Sequence, residues 1–167
     1  MLNYGNLNDV EFEYLCQDIM QSKLNTVLHK FARGKDGGID LADNVHTKNI
    51  IVQVKHYMRS SADQLITSLK NEVAKVKKLA PQQYYICCSK ELSPQKVDEI
   101  YNLFSDYMDS PSNIITLNEI DDFLTAPANI EILKKHFKLW IESTGILQDI
   151  GNTNIFIDCE SLLANIK

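Results

Sequence analysis

No apolar run in the 167 residues approaches the roughly 20 that a bilayer-crossing helix requires. The opening stretch, Met1 to Asn6, has neither a basic nor an apolar segment, so it does not read as a secretory signal. A cytoplasmic protein without a membrane partner is expected. None of the four cysteines (Cys16, Cys87, Cys88, Cys159) stands in a C-x-x-C pair, which argues for reduced, buried thiols rather than disulfides or zinc ligands. The four histidines (His29, His46, His56, His136) show no ligand spacing either, so no zinc site is expected. Repeats and low-complexity stretches are missing. So is a nucleotide-binding P-loop: Gly34-Lys35 is followed by Asp36 and lacks the preceding glycine. The chain also lacks an overall basic balance, with a net charge of −5 and a pI near 5.3. That argues mildly against nucleic acid as a partner.

The distribution of charge changes the last point. Between Lys23 and Arg59 there are seven basic residues (Lys23, Lys30, Arg33, Lys35, Lys48, Lys55, Arg59) against three acidic ones (Asp36, Asp40, Asp43), a local surplus of four positive charges. With a total of −5, the rest of the chain therefore carries −9. Inside this basic block lies Phe31-Ala-Arg-Gly-Lys-Asp-Gly-Gly-Ile-Asp-Leu41, followed by Asn49-Ile-Ile-Val-Gln-Val-Lys-His56. The glycine pair allows a sharp turn before Asp40. Residues i and i+2 of a strand share a face, so Gln53 and Lys55 point the same way. If the two segments pair, a carboxylate, an amide and an ammonium meet in one small volume, a set able to hold a divalent metal and a phosphate. Magnesium takes oxygen ligands; Asp40, the Gln53 side chain and the Val54 carbonyl supply them. Lys55 can orient or deprotonate an attacking water and pair with the phosphate. Glu13 can add a second carboxylate if its helix packs beside the hairpin.

The order of elements comes from periodicity. Phe12, Leu15, Cys16, Ile19 and Met20 form an apolar helical stripe behind an Asn8-Asp9 cap. Strands are expected at 26–31, 39–41 and 49–55, the last two as a hairpin, with the apolar 50–52 run marking a central strand. A helix over 62–79 is capped by Ser60 or Ser61 and ended by Pro81, with Ile66, Leu69, Val73 and Val76 inward. Then come a strand at 84–88, a helix from Ser93-Pro94 to about Tyr107, a strand at 113–117, a short helix at 118–124, and a helix from Pro127 to Ile141 with Ile130, Leu133, Phe137 and Ile141 inward. Residues 155–157 read as a short strand and 160–167 as a short helix. The fold class is α/β, a mixed sheet with flanking helices in the order α-β-β-β-α-β.

Phe12-Glu13-Tyr14-Leu15, Gly34-Lys-Asp-Gly-Gly-Ile-Asp40 and Val52-Gln-Val-Lys-His-Tyr57 together resemble the Mrr-type branch of the PD-(D/E)xK restriction-endonuclease superfamily, in which Gln replaces the second acidic residue. The resemblance covers roughly residues 7 to 125. It implies a metal-dependent DNA endonuclease with Mg2+ or Mn2+ as cofactor, Asp40, Gln53, Lys55 and Glu13 at the catalytic positions, and double-stranded DNA as substrate. Metal ligands would be Asp40, Gln53, Val54 and Glu13; Arg33, Lys35, His56 and Arg59 would face DNA. The segment 129–147, with His136-Phe-Lys-Leu-Trp-Ile-Glu-Ser-Thr144, resembles the stretch C-terminal to such nuclease domains in bacterial antiviral STAND NTPases. This implies an anti-phage effector switched on by oligomerisation, with the NTPase or sensor region missing from this chain; cutting both strands asks for two sites, so at least a dimer is expected when active. The domain division expected is a nuclease-like 1–125, a helix at 126–145 packed on or extending it, and 146–167 as a linker or the start of a further region.

Each piece alone is weak. Asp36-Gly-Gly-Ile-Asp40 also reads as a plain turn entering a strand, Glu13 as a surface glutamate, and Arg33, Lys35 and Arg59 as solvated charges. Tyr84, Tyr85, Phe137 and Trp140 read as core, and Ser89 as a turn residue that also has the option of facing the pocket. The alternative function is a nuclease fold without catalysis, kept for DNA binding or protein assembly.

Overall fold

The first helix, α1 (Asp9–Leu24), begins where Asn8 accepts from the Glu11 backbone N–H while the Glu11 side chain accepts from the Asn8 N–H, a reciprocal capping box. It ends on Asn25 in the left-handed conformation. Its whole expected stripe, Phe12, Leu15, Cys16, Ile19 and Met20, is buried. The computed structural model that shows this describes residues 2–32 and 38–141. The strand and helix expected beyond residue 142, and Arg33, Lys35 and Asp36, lie outside the described residues.

Among the described residues five strands make one sheet in the order β1-β2-β3-β4-β5: β1 (His29–Lys30), β2 (Leu41–Ala42), β3 (Ile50–Lys55), β4 (Gln83–Cys88) and β5 (Ile114–Ile115). β1–β2 and β2–β3 pair antiparallel, β3–β4 and β4–β5 parallel. The mixed sheet and the central place of β3 are as expected. β1 is shorter than expected because α1 takes the backbone of Leu28: Gln17 Nε2 donates to its carbonyl and its N–H donates to Gln21 Oε1. Those groups are then not available to a ladder.

Helix α2 (Ala62–Leu79) starts at Ser61, again with a capping box, through Gln64. α3 (Pro94–Phe104) starts at Ser93 with proline in its first turn, and α4 (Leu117–Thr125) and α5 (Ile130–Lys135) follow. The side-chain alternation of β3 and β4 divides the interior in two. Val52, Val54 and Cys87 join a core with α1, α4 and α5 residues, while Ile51, Tyr84, Ile86 and Cys88 join one with α2 and α3 residues. The neighbours Cys87 and Cys88 thus enter opposite layers. Burial raises the Cys88 thiol pKa to about 12, and burial with the Cys87 contact raises that of Cys16. Both thiols are therefore protonated at neutral pH.

One long helix over 127–141 does not form. A 3-10 turn (Pro127–Asn129), α5 and a second 3-10 turn (Phe137–Leu139) replace it. The break falls at His136, whose φ of −99° and ψ of 57° are not helical, and whose Nε2 lies 2.9 Å from Asp18. Trp140 Nε1 then donates to the Leu133 carbonyl, which supplies a partner at the helix end. Leu133 and Leu139 are buried as a result, whereas Phe137 and Ile141, expected inward, are 50% and 52% exposed. The segment packs on the first 125 residues: Asn3 N–H donates to the Leu139 carbonyl and Asn6 to that of Lys138. No described helix is long and apolar enough to cross a membrane.

Candidate active site

The hairpin register sets the site. Leu41 faces Val52 across β2–β3, so one residue further along Asp40 stands opposite Gln53 on the same side of the sheet. There Gln53 Nε2 donates to Asp40 Oδ2 at 2.6 Å, and the Val54 backbone N–H donates to the same oxygen at 2.7 Å. In a strand the N–H and C=O of one residue point to the same edge. The Val54 carbonyl therefore also faces the edge on which Asp40 sits.

Lys55 lies two residues on and shares this face. Its Nζ sits 3.3 Å from Oε1 of Glu72 on α2, and the other oxygen of Glu72 is 3.0 Å from Lys75 Nζ. The Lys55 and Glu72 side chains are only 13% and 14% exposed. Such shielding requires the charges to be paired. Gly38, two residues before Asp40, has φ +70°, and a Cβ there would stand 2.9 Å from Lys75 Nζ. The positive φ is what asks for glycine here, while the Lys75 ammonium lies over the space a Cβ would take.

Glu13 comes from the opposite layer. It is buried, pairs with Lys30 Nζ at 3.2 Å, and reaches the same cleft. This cleft, of about 280 Å3, is lined by Asp9, Glu13, Gly38, Ile39, Asp40, Gln53, Val54, Lys55, His56, Tyr57, Glu72 and Lys75. It gathers Glu13, Asp40, Gln53, Val54 and Lys55, all of the expected catalytic and metal positions.

Two expected DNA contacts are placed differently from one another. His56 follows Lys55, so the strand alternation turns it to the α1 side. Its ring stacks on Phe12 at 4.6 Å and its Nε2 is 2.9 Å from the Leu7 carbonyl. It borders the cleft and at the same time holds the N-terminal segment. Arg59 is exposed in a groove of about 680 Å3 that continues from the cleft through Asp9, His56 and Tyr57. Ser89 is buried, and its Oγ accepts from the Tyr57 N–H at 2.7 Å, holding the turn after β3.

Sequence reasoning missed Asp9, Glu72, Lys75 and Lys30. A signal for Glu72 existed: it lies three residues after Leu69 and four before Val76, on the apolar stripe of α2. A carboxylate there has to find a partner or a task.

The donors suit a divalent cation of the magnesium kind. They are oxygens: one carboxylate, one amide that presents oxygen on a half-turn of its last torsion, and one main-chain carbonyl. Among the described residues no three His, Cys, Asp or Glu side chains converge as a metal cage. The described lining carries four carboxylates (Asp9, Glu13, Asp40, Glu72) against two ammoniums (Lys55, Lys75).

The chain is similar in sequence to known proteins. A protein of Sinorhizobium fredii (strain NBRC 101917 / NGR234), designated uncharacterized protein y4cD, is 27% identical over 148 residues, covering 89% of this chain. The chain spans 23% of that relative's length. The family model for the Mrr catalytic domain, described as restriction endonuclease, matches residues 5–95, which take in α1, the Asp40 turn, β3, α2 and β4. The chain therefore belongs to the Mrr-type restriction endonuclease family.

Proposed function

We propose that this chain is a divalent-metal-dependent endonuclease acting on double-stranded DNA. The observation that supports it most is the convergence of Gln53 Nε2 and Val54 N–H on one oxygen of Asp40 in a cleft that also holds Lys55. Asp40, the Gln53 amide and the Val54 carbonyl would hold Mg2+ or Mn2+, with Glu13 contributing directly or through water. A bound dication supplies polarisation of the phosphate and a more acidic water.

The chain's own groups do the rest. Lys55 pairs with a phosphate oxygen and offsets the charge that develops on it. Its strand is locked between β2 and β4, which fixes the main chain from which the side chain reaches the cleft. The groove bearing Arg59 extends the cleft as a path for the DNA backbone, with Arg33 and Lys35 as further phosphate contacts. The helical segment after residue 126 packs on this unit, and activation would come from self-association as an anti-phage effector, with a sensor or NTPase supplied elsewhere.

Incubation of supercoiled plasmid with Mg2+ or Mn2+ tests this, beside Asp40→Ala and Lys55→Ala, with a fusion to a constitutive oligomer included. Wild type should nick, and each variant should lose at least about 100-fold in rate. Equal nicking by wild type and both variants sinks the reading. DNA retention without metal and without nicking in the fused form would favour the non-catalytic module instead.

A further inference from the structure

The Lys55–Glu72–Lys75 chain was not foreshadowed by the strand motif, and both partners of its first link are shielded from solvent. Glu72 places one oxygen on each lysine, at 3.3 and 3.0 Å. Lys55 is the last residue of β3, paired through its backbone with Cys88, but the ladder restrains only its main chain. Its four methylenes leave the ammonium many rotamers, and only a fixed anion selects one. Glu72 is itself held: it sits on the buried stripe of α2 between Leu69 and Val76, both buried, and Lys75 fixes its second oxygen. Lys75 in turn packs over Gly38, in the loop that carries Asp40.

We infer that Glu72 is the positioning residue for Lys55, supplying from α2 the carboxylate that β3, with Gln53, does not carry. The inference rests on the nuclease reading for its catalytic half and on the geometry alone for its pairing half. Glu72 aims the Lys55 ammonium into the cleft, and α2 becomes part of the site rather than only a wall of the core. A carboxylate that orients a lysine leaves DNA affinity alone and acts on turnover. A metal ligand would instead change the metal concentration required.

Two measurements on the full chain test it. The first is plasmid nicking at saturating Mg2+ for wild type, Glu72→Gln, Glu72→Asp and the remote charge control Glu131→Gln, at an exposed position paired with Lys134 on the same helix. Glu72→Gln should lower kcat about tenfold or more with the DNA KM within about twofold; Glu72→Asp should recover part of the loss, and Glu131→Gln should show none. The second is competitive acetylation by acetic anhydride, read by peptide mass spectrometry. Lys55 should acetylate roughly threefold faster or more in Glu72→Gln relative to Lys70, because it loses its restraint.

An unchanged Lys55 labelling rate overturns the pairing, whatever the nicking shows. Faster labelling with wild-type kcat overturns the catalytic role. A raised Mg2+ requirement with unchanged labelling makes Glu72 a ligand and overturns positioning. If wild-type nicking survives Asp40→Ala, the nuclease reading fails and takes the catalytic half with it, while labelling still decides the pairing.

Discussion

The amide nitrogen of Gln53 donates to Oδ2 of Asp40 across 2.6 Å, locking the two halves of the β2–β3 hairpin through the side chains that define the cleft. A Gln53→Glu variant turns this contact into two carboxylates at hydrogen-bond distance, which disfavours both being charged. Without metal, the variant should unfold roughly 2–8 °C below wild type, as expected for a loss of about 1–2 kcal/mol in a protein of this size. Adding Mg2+ at about 10 mM should then raise its Tm by more than it raises that of wild type, since a dication removes the repulsion. Differential scanning calorimetry in chelator and in Mg2+ measures both. Equal shifts in the two proteins would show that position 53 does not face a bound cation.

His56 is clamped between Phe12 and the Leu7 carbonyl, so its removal should cost stability rather than DNA affinity. His56→Ala should lose about 1–3 kcal/mol in urea unfolding, from the stacking and the hydrogen bond together. DNA affinity of the folded variant, followed by fluorescence anisotropy at fixed salt, should stay within about twofold. A loss of affinity with unchanged stability would favour its reading as a DNA contact.

Asp63 in the first turn of α2 and Lys96 in the first turn of α3 are joined at 2.6 Å. The Lys96 ammonium lowers the Asp63 carboxyl below its ordinary value of 3.8, and Asp63 raises the Lys96 ammonium, with Glu99 adding to it. A lowered carboxyl stabilises the fold above about pH 3.8 and loses that contribution as pH falls through its folded value. A raised ammonium stabilises below its unfolded value and loses that as pH rises through its folded value. Both contributions are therefore present across neutral pH. Urea unfolding of wild type and Asp63→Asn should show a small gap from about pH 5 to 9 that closes in acid below about pH 4 and shrinks in roughly 0.5 M NaCl, as the pair is exposed. A gap that does not narrow at all as pH falls from about 5 to about 2 contradicts the pairing.

Leu133 and Leu139 belong to the same buried core as Phe12 and Leu15. A chain ending at residue 125 should therefore lose several kcal/mol, since each large core residue removed costs about 2–5 kcal/mol. It should bind hydrophobic dyes and unfold broadly, whereas a chain ending at 141, which keeps Leu133 and Leu139, should melt sharply. A sharp, unshifted melt of the 125-residue form would make it an independent unit.

The sequence by itself determined α1, α2 and the central hairpin. Their signals are local: Asn8 with Glu11, Ser61 with Gln64, stripes at 3.6-residue spacing, and a strand with Gln53 and Lys55 two apart. It also put Gln53 and Lys55 on one face, while Asp40 joins them only through the hairpin register, with Leu41 opposite Val52. The relations it left undecided lie between segments distant in the chain. The break at His136 goes with its contact to Asp18, 118 residues away. His56 turns toward Phe12 because alternation and packing leave it no other side, and only the position of α1 says what is there. Glu72 becomes a cleft residue solely because α2 packs on the face that carries Lys55. Short-range spacing records which way a side chain points; which partner it meets there is decided by how the layers stack.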